Sequence, residues 1–464
     1  MSRDGDREIA TTGGVSFWYS QIGRPTPTDV LDGPADADVA IVGAGYTGLW
    51  LAYYLKRARP ELSIRILEQE FAGYGASGRN GGWLTNTITG GQDGYAAEFG
   101  RDATRAFQLA LNDTVDEVIA VTEREGIDAE VRKGGSLLVA RNAAQLRRVD
   151  AHVRHAEQWP EEGYARMSAA ETVERVRVDG ALGGLWQPHC ARIHPAKLAQ
   201  GLAQVVRGLG VRIHDKTRVE RITPHQAVTD RGIVSATHVI RATEGFTAAL
   251  AGEKRTWAPL NSSMIITQPL PPKAWEAIGW QQYDTLEDLS HVYSYAQRTL
   301  DGRIAIGGRG NPYRWGSRTD NDGDIAASTV AALAAILRAW FPAARDIPIA
   351  HGWSGVLGVP RNWRATVGYD PSTGLGWGGG YVGTGVAATN LAGRTLAELI
   401  LAEDTERTRL PWVNQQTRRW EPEPLRWLGI HGIYKAYSWA DRREARGGGR
   451  TSVIAQLADT ISGR

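Results

Sequence analysis

The chain has 464 residues, 42% of them apolar, a net charge of +2 and one cysteine, Cys190. That length suits one large domain or two intertwined ones, the near-neutral charge argues against nucleic acid or an anionic membrane as partner, and one cysteine excludes an internal disulfide and fits a reducing compartment. The N-terminus lacks the apolar core of a signal peptide and no apolar run reaches the ~18 residues of a membrane span, so the expected location is cytoplasmic.

Residues 1–34 predict an arm: the aromatic run Phe17-Trp18-Tyr19 docks on the body, and a Pro/Gly-rich linker occupies 23–34. Residues 39–48 then read Val-Ala-Ile-Val-Gly-Ala-Gly-Tyr-Thr-Gly, an apolar run breaking into G-x-G-x-x-G. The run 39–42 predicts a buried parallel strand. Gly43 turns the chain off it, Gly45 leaves room for a pyrophosphate, and Gly48 lets the next helix pack close on the sheet. The helix start at Tyr46 and Thr47 offers free N–H groups and a partial positive charge to phosphate. A second strand, 63–67, ends in Glu68, roughly 20 residues past the glycines, where a ribose hydroxyl needs an acceptor. A carboxylate there repels a 2′-phosphate, so FAD or NAD is favoured over NADP. The bland alternative is a chance glycine turn, against which the order strand, helix, strand and acid argues.

Residues 73–82 read Gly-Tyr-Gly-Ala-Ser-Gly-Arg-Asn-Gly-Gly, too glycine-dense for a helix or an ordinary strand. Ser77, Arg79 and Asn80 supply donors, and the glycines let the backbone lie against a planar ring. A flexible surface loop is the alternative. Further on, Phe107, Leu111, Val115, Val118 and Ile119 give helical spacing over 101–124, stopped by Gly126. A strand is expected at 135–140 and helices at 144–158 and 168–176. Pro195 opens a helix that ends at Gly208 or Gly210. Short strands follow at 211–214, 217–222, 227–229 and 238–242. From about 255 to 350 the pattern is strands plus one helix near 324–340, which suits an antiparallel sheet over a pocket. A helix spans 385–401. Residues 403–449 are rich in Arg, Trp and Pro, and their apolar stripes predict helices packed on the body, with a membrane-surface or partner-binding helix as the alternative.

Several segments in chain order carry a family likeness. AIVGAGYTGLWLAYYL at 40–55 and GYGASGRNGG at 73–82 are followed by IHPAKLAQGL at 193–202, HVIRATEG at 238–245, RIAIGG at 303–308 and GYVGTGVAATNLAGRTLA at 380–397. Over roughly residues 35–402 the chain resembles the D-amino-acid-oxidase-like family of FAD-dependent oxidoreductases, and its branch containing γ-glutamylputrescine oxidase. The resemblance implies an α/β fold, a Rossmann-like FAD-binding domain interleaved with an α+β substrate domain built on an antiparallel sheet. The FAD-binding domain would comprise 35–90, 191–250 and 351–402, the substrate domain 91–190 and 251–350, and a helical extension 403–464. The residues expected at FAD are Gly43, Gly45, Tyr46, Thr47, Gly48, Glu68, Gln69, Ala76, Ser77, Arg79, Asn80, Gly81, Gly82, Val219, Ala242, Thr243, Gly383, Thr384, Gly385 and Val386. The segment 383–386 should aim helix-end amides at the flavin edge where negative charge grows on reduction. Where the family often has Asn after an Ala-Thr pair, this chain has Glu244.

The reaction implied is oxidation of an amine or amino acid by hydride transfer to flavin, giving an imine that water hydrolyses. Oxygen or another acceptor would reoxidise the flavin. Aromatic walls would keep the amine neutral by desolvation and can hold a cation. Pocket candidates are Tyr293, Tyr295, Arg309, Trp353 and Arg361, an arginine being suited to a substrate carboxylate. His194 is a candidate base, though a residue ahead of a helix is more often engaged locally. Residue 83 is Trp and Cys190 lies outside the flavin motifs, so non-covalent FAD is expected, and no metal. Glycine- or sarcosine-type oxidation remains an alternative substrate class. So does, from other classes, a nicotinamide-dependent dehydrogenase or a nucleotide-binding interaction protein without catalysis.

Overall fold

Among the described residues, two eight-stranded sheets and a small two-stranded one carry the chain. The computed structural model describes residues 11–319, 322–447, 452–455 and 458. The polar N-terminal stretch 1–10 and most of 448–464, read above as parts of the arm and the extension, lie outside the described residues.

The first sheet is parallel at its centre. Strands Leu375–Gly379, Gly232–Arg241, Ala35–Val42, Ile64–Leu67 and Arg212–His214 pair in that order, all parallel. Thr366–Asp370 closes one edge antiparallel, and the hairpin Val219–Thr223 and Gln226–Thr229 extends from Gly232–Arg241. The apolar run 39–42 is buried on both faces, as a central parallel strand requires. Val39 and Ile41 pack with the helices Tyr46–Ala58, Pro195–Gly208 and Gly385–Ile400, whereas Ala40 and Val42 face Leu31, Val219, Val234 and Leu250 on the other side. The helix opened by Pro195 ends at Gly208, and the 101–124 periodicity becomes one helix, Arg101–Arg124.

The second sheet runs Ile349–Val359, Ala258–Thr267, Ile304–Gly308, Tyr295–Arg298, Thr285–Asp288, Ser136–Ala140, Gly183–Gln187, Ala165–Met167. It is antiparallel except at one junction, where Thr285–Asp288 and Ser136–Ala140 run parallel. These two strands are far apart in sequence, so no hairpin constrains their direction. Alternation sorts its faces. Ile265, Ala296, Ile304 and Ile306 pack against the helix Ala327–Trp340, whereas Met264, Ile266, Ala305 and Tyr295 face the N-terminal arm and the glycine-rich segment. Besides the short helix of the arm, two helices beyond those expected appear among the described residues, Gln92–Phe99 and Pro272–Ile278. The second carried a signal: a proline in its first turn and Gly279 in the left-handed conformation at its end.

The aromatic arm docks as a short helix, Phe17–Ile22, with Trp18 fully buried. Among the described residues the extension's long helix is Leu425–Ala445, preceded by a single 3-10 turn at Arg407–Arg409. It is held to the second sheet by Glu444, which pairs with Arg148 at 2.7 Å and with His291 at 3.0 Å, and by Asp441, whose carboxylate accepts the amides of His291 and Val292. Burial opposes ionisation of Glu444, but His291 and Arg148 outweigh it and hold its carboxyl at about 2. No helix of the described residues is long and apolar enough to cross a membrane.

Candidate active site

A cavity opens above the carboxyl ends of the central parallel strands, where open α/β sheets hold their ligands. Three glycine-bearing segments meet there. From the first come Gly43, Gly45, Tyr46 and Thr47; from the second Gly75, Ala76, Ser77 and Asn80; from the third Gly383, Gly385 and Val386. Glu68, Gln69, Val219, Ala242 and Thr243 also line it, as their motifs implied.

The first turn is tightly built. Gly43 leaves the strand at φ +106°, and a Cβ there would stand 2.6 Å from the carbonyl oxygen of Ala242. The Gly43 amide donates to the Leu67 carbonyl at 2.9 Å, which ties the turn to the neighbouring strand. Tyr46, the first helical residue, donates its amide to Ser77 Oγ at 2.8 Å, so the second segment caps the helix of the first. Glu68 accepts the amides of Ala44 at 2.8 Å and Glu70 at 3.0 Å. Burial nonetheless pushes its carboxyl up to about 7. Gly48 does not line the cavity: a Cβ there would be 2.1 Å from Gly43 O, so it serves the close packing of helix on turn.

The second segment is gripped from behind. Ser16 Oγ donates to Gly78 O at 2.7 Å, Trp353 Nε1 to Arg79 O at 2.8 Å and Trp18 Nε1 to Asn80 O at 2.9 Å. None of these three donors lines the cavity. The arm therefore shapes a loop more than fifty residues away. Trp18→Ala is expected to cost about 3–5 kcal/mol, the usual range for a fully buried aromatic. A lowered melting temperature and weakened retention of flavin on gel filtration would register it. Arg79, expected at the cofactor, is instead a buried brace. It donates to Tyr74 O at 2.8 Å and Ser354 O at 3.4 Å and stacks over Tyr74. Gly81 and Gly82 also lie off the cavity, where a Cβ would strike the Tyr295 ring or Gln297 and the Ile193 carbonyl.

The third segment brings a second helix start, Gly385–Ile400. Thr384 faces away, its hydroxyl engaged with Thr89 at 2.9 Å and the Tyr381 carbonyl at 3.1 Å. Tyr381 OH meets Thr47 Oγ1 at 2.9 Å and so links the two helix starts. Glu244 lines the cavity and was not assigned from the sequence. It sits at φ +41°, and its carboxylate accepts the amides of Gly380 at 3.0 Å and Tyr381 at 3.3 Å. Burial pushes it up to about 7, although those amides and that of Gly358 pull the other way. Its role is to bind the strand end at 241 to the glycine turn near 380, a contact no local motif announces. Phe246, Leu250, Val356 and Leu357 complete apolar stretches of the wall.

Of the pocket candidates, Trp353 is fully buried beside Phe17 and Trp18, and Arg361 pairs with Glu421 at 3.2 Å and lies over Trp420. Neither lines the cavity. Tyr293, Tyr295 and Arg309 cluster at the end of the second sheet, where the Tyr295 ring covers Gly81. His194 caps the helix Pro195–Gly208 by accepting the Lys197 amide at 3.2 Å, and it contacts Gln21. Burial pulls it down to about 4. Cys190 is buried beside Thr285, 3.3 Å from its hydroxyl.

A two-helix-start cradle with an acid on the adjacent strand end suits a dinucleotide, and the second glycine segment suits FAD. A family profile described as FAD dependent oxidoreductase, DAO, matches residues 38–399. This chain belongs to that family. The FAD-dependent oxidoreductase is similar to the gamma-glutamylputrescine oxidoreductase of Escherichia coli (strain K12), with 29% identity over 84% of this chain and 90% of that protein. It is 28% identical to the probable oxidoreductase OrdL of Haemophilus influenzae over 79% of this chain and 84% of the relative. Among solved structures, L-proline dehydrogenase from P. horikoshii superposes with a TM-score of 0.66 at 19% identity, covering 82% of this chain and 96% of that one. Glycine oxidase from Geobacillus kaustophilus gives 0.63 at 22% identity, covering 80% and 96%. These likenesses establish the fold, an FAD-binding Rossmann-like unit with a sheet-based substrate unit.

Proposed function

We propose that the protein oxidises a C–N bond of an amine or amino acid, in the manner of a γ-glutamylputrescine oxidase, with FAD held non-covalently. One observation carries this reading: glycine segments near 43, 75 and 383, distant in sequence, line a single cavity. Bound there, FAD supplies the two-electron acceptor for the hydride that leaves the carbon beside nitrogen. The imine product is then hydrolysed by water. The helix starts at Tyr46 and Gly385 offer amides to negative charge. Glu68 would accept from ribose hydroxyls. Gly43, Gly45, Ser77, Asn80, Ala242, Thr243, Gly383 and Val386 form the cradle; Gly48, Arg79, Gly81, Gly82 and Thr384 hold its shape. We assign the flavin cradle to the first sheet and substrate recognition to the second, with the segment 349–359 serving both. Glycine- or sarcosine-type substrates are the second reading. A cytoplasmic enzyme reoxidised by oxygen or another carrier completes the proposal.

The lining holds neither Cys nor His, which supports non-covalent attachment. Acid precipitation is expected to release all the yellow colour into the supernatant. The deciding experiment is anaerobic: an amine substrate should bleach the visible flavin band. A purified protein that carries FAD but is bleached by none of a broad amine panel would end the catalytic reading in favour of a nucleotide-binding protein without amine chemistry.

A further inference from the structure

Glu287 stands without a partner where comparable acids have one. Asp284, Glu398 and Glu444 pair with Arg175, Arg407 and Arg148. Glu68 and Glu244 accept backbone amides, and Asp288 accepts the Ser294 amide and the Ser290 hydroxyl. The Glu287 carboxylate, half-buried, takes part in no hydrogen bond or ion pair among the described residues. Burial and the neighbouring Asp288 push its carboxyl up to about 8, and no cation or donor pulls it back. Withdrawing a carboxylate from water without such compensation is costly.

The alternation of the second sheet fixes which way this acid faces. Its neighbour Leu286 packs with Ala296 and Ile306 in the core on the far side. Glu287 therefore shares the face of Tyr295, toward the glycine-rich segment. A cross-strand row runs Glu287, Tyr295, Gly307, Met264, Trp353 in register. Gly81 passes beneath its middle: a Cβ there would come 2.6 Å from the Tyr295 ring and 3.7 Å from the Met264 methyl. Asn80, next along, lines the flavin cavity. Glu287 lies one strand spacing, ~4.8 Å, beyond Tyr295. Tyr295 thus stands between Glu287 and the flavin cradle.

Two phenols flank the acid. Burial raises both Tyr164 and Tyr295, and the charge of Glu287 raises each further. The Tyr295 hydroxyl is engaged with Ser262 Oγ at 2.9 Å. Trp83, which directly follows the glycine-rich segment, stands edge-on to the Tyr295 ring at 6.0 Å. Tyr164 arrives from the other side of the chain, between the turn Pro160–Glu162 and the strand Ala165–Met167. An acid set among aromatic rings is a receptor for an ammonium group. The carboxylate supplies charge and hydrogen-bond acceptors, and the rings attract a cation through their faces.

We propose that Glu287, walled by Tyr164 and Tyr295, binds a second ammonium group of the substrate, one other than the amine that is oxidised. The proposal rests on the amine-oxidising function above. Tyr295 separates the acid from the cradle, so the group it takes is not the one at the flavin. The chemistry points the same way. An anion against the reacting nitrogen would hold it protonated, and the lone pair that expels hydride would be unavailable. Set further off, the same anion selects and orients the molecule. The distal amine of a free diamine and the α-ammonium of a γ-glutamyl head are two sources of such a group.

The test uses the FAD-loaded full chain, anaerobic flavin reduction and paired probes that differ by one ammonium: putrescine beside butylamine, and γ-glutamylputrescine beside N-glutarylputrescine. In the wild type, the member with the extra ammonium should half-saturate at a roughly 10- to 100-fold lower concentration in at least one pair, and the pair that shows it identifies the source. Glu287→Gln should abolish that preference while altering the limiting reduction rate much less; Glu287→Asp should keep part of it. Tyr164→Leu should weaken it several-fold and leave FAD binding intact. The substrate-free melting temperature of Glu287→Gln should be unchanged or higher, since an uncompensated acid has gone. Independently of turnover, tetramethylammonium, which has no lone pair to expel a hydride, should bind the wild type saturably in a calorimetric titration at fixed ionic strength, and Glu287→Gln at least about tenfold more weakly. No preference within either wild-type pair, a preference of the same size in Glu287→Gln, or equal tetramethylammonium affinity in wild type and variant overturns the ammonium site while leaving amine oxidation standing. Reduction by no amine overturns the function itself, and the tetramethylammonium titration still decides the site.

Discussion

Gly43→Val is expected to yield a folded but colourless protein, with FAD affinity lowered by at least 100-fold. The position combines two independent penalties. At φ +106° a β-branched residue is held in a conformation it rarely adopts, which costs on the order of 1–3 kcal/mol. Its Cβ must also share space with the Ala242 carbonyl, 2.6 Å away, and Ala242 is tied to the first strand by its amide, which donates to the Val42 carbonyl at 2.9 Å. Relief requires the strand ends to part, at roughly another 1–3 kcal/mol, and it distorts the turn that faces the cavity. Gly180→Ala is the control. It too has positive φ, at +72°, but nothing lies within 4 Å of its added Cβ. It should lose about 1 kcal/mol of stability and keep its flavin. Flavin content per chain and fluorescence titration of apoprotein with FAD measure both.

The second large effect concerns Glu68. Its carboxyl is raised to about 7 by burial, despite two amides that favour the ionised form. A ribose hydroxyl donating to it requires the carboxylate. FAD binding should therefore lower its pKa, and FAD affinity should rise with pH and level off above about 7. Between pH 8 and 6 the dissociation constant should increase by up to about tenfold, the limit for one proton per pH unit below the transition. Glu68→Gln should flatten this profile and weaken binding roughly 10- to 100-fold through loss of charge-assisted bonds. The apoprotein moves in the opposite sense. A carboxyl raised on folding ionises first in the unfolded chain, so its contribution is fully present below about 4.5 and is lost as pH rises towards 7. Glu244, also raised to about 7 by burial, adds to that trend. The melting temperature of apoprotein should thus fall between about pH 5 and 7 and level off above, and FAD should offset the fall. A pH-independent dissociation constant in the wild type would remove Glu68 from this role.

How much of this was legible in the sequence follows from where each interaction is encoded. The strand–turn–helix–strand–acid unit is local, and its periodicities and glycines lie within about thirty residues, so Gly43, Gly45 and Glu68 were placed directly. Segment 383–386 was legible through family likeness, because its glycines alone describe any turn. Arg79 misled because a cation in a glycine-rich loop suggests a phosphate, whereas the fold turns it onto Tyr74 and Ser354. Trp353 and Arg361 misled because proximity along the chain does not reveal which face of a strand or loop meets the cavity. Glu244 was out of reach altogether: its partner, Gly380, is more than a hundred residues away.

The walls of one cavity are thus drawn from the arm's grip on residues 78–80, from strand ends near 68 and 242, and from the helix start at 385. During translation the phosphate-binding fingerprint leaves the ribosome early, but its partner strand and its second helix start are still unmade. A nascent chain halted before about residue 390 possesses the motif without the vessel. A fragment that ends before Thr389 lacks part of the cavity wall and is expected to retain no flavin on gel filtration.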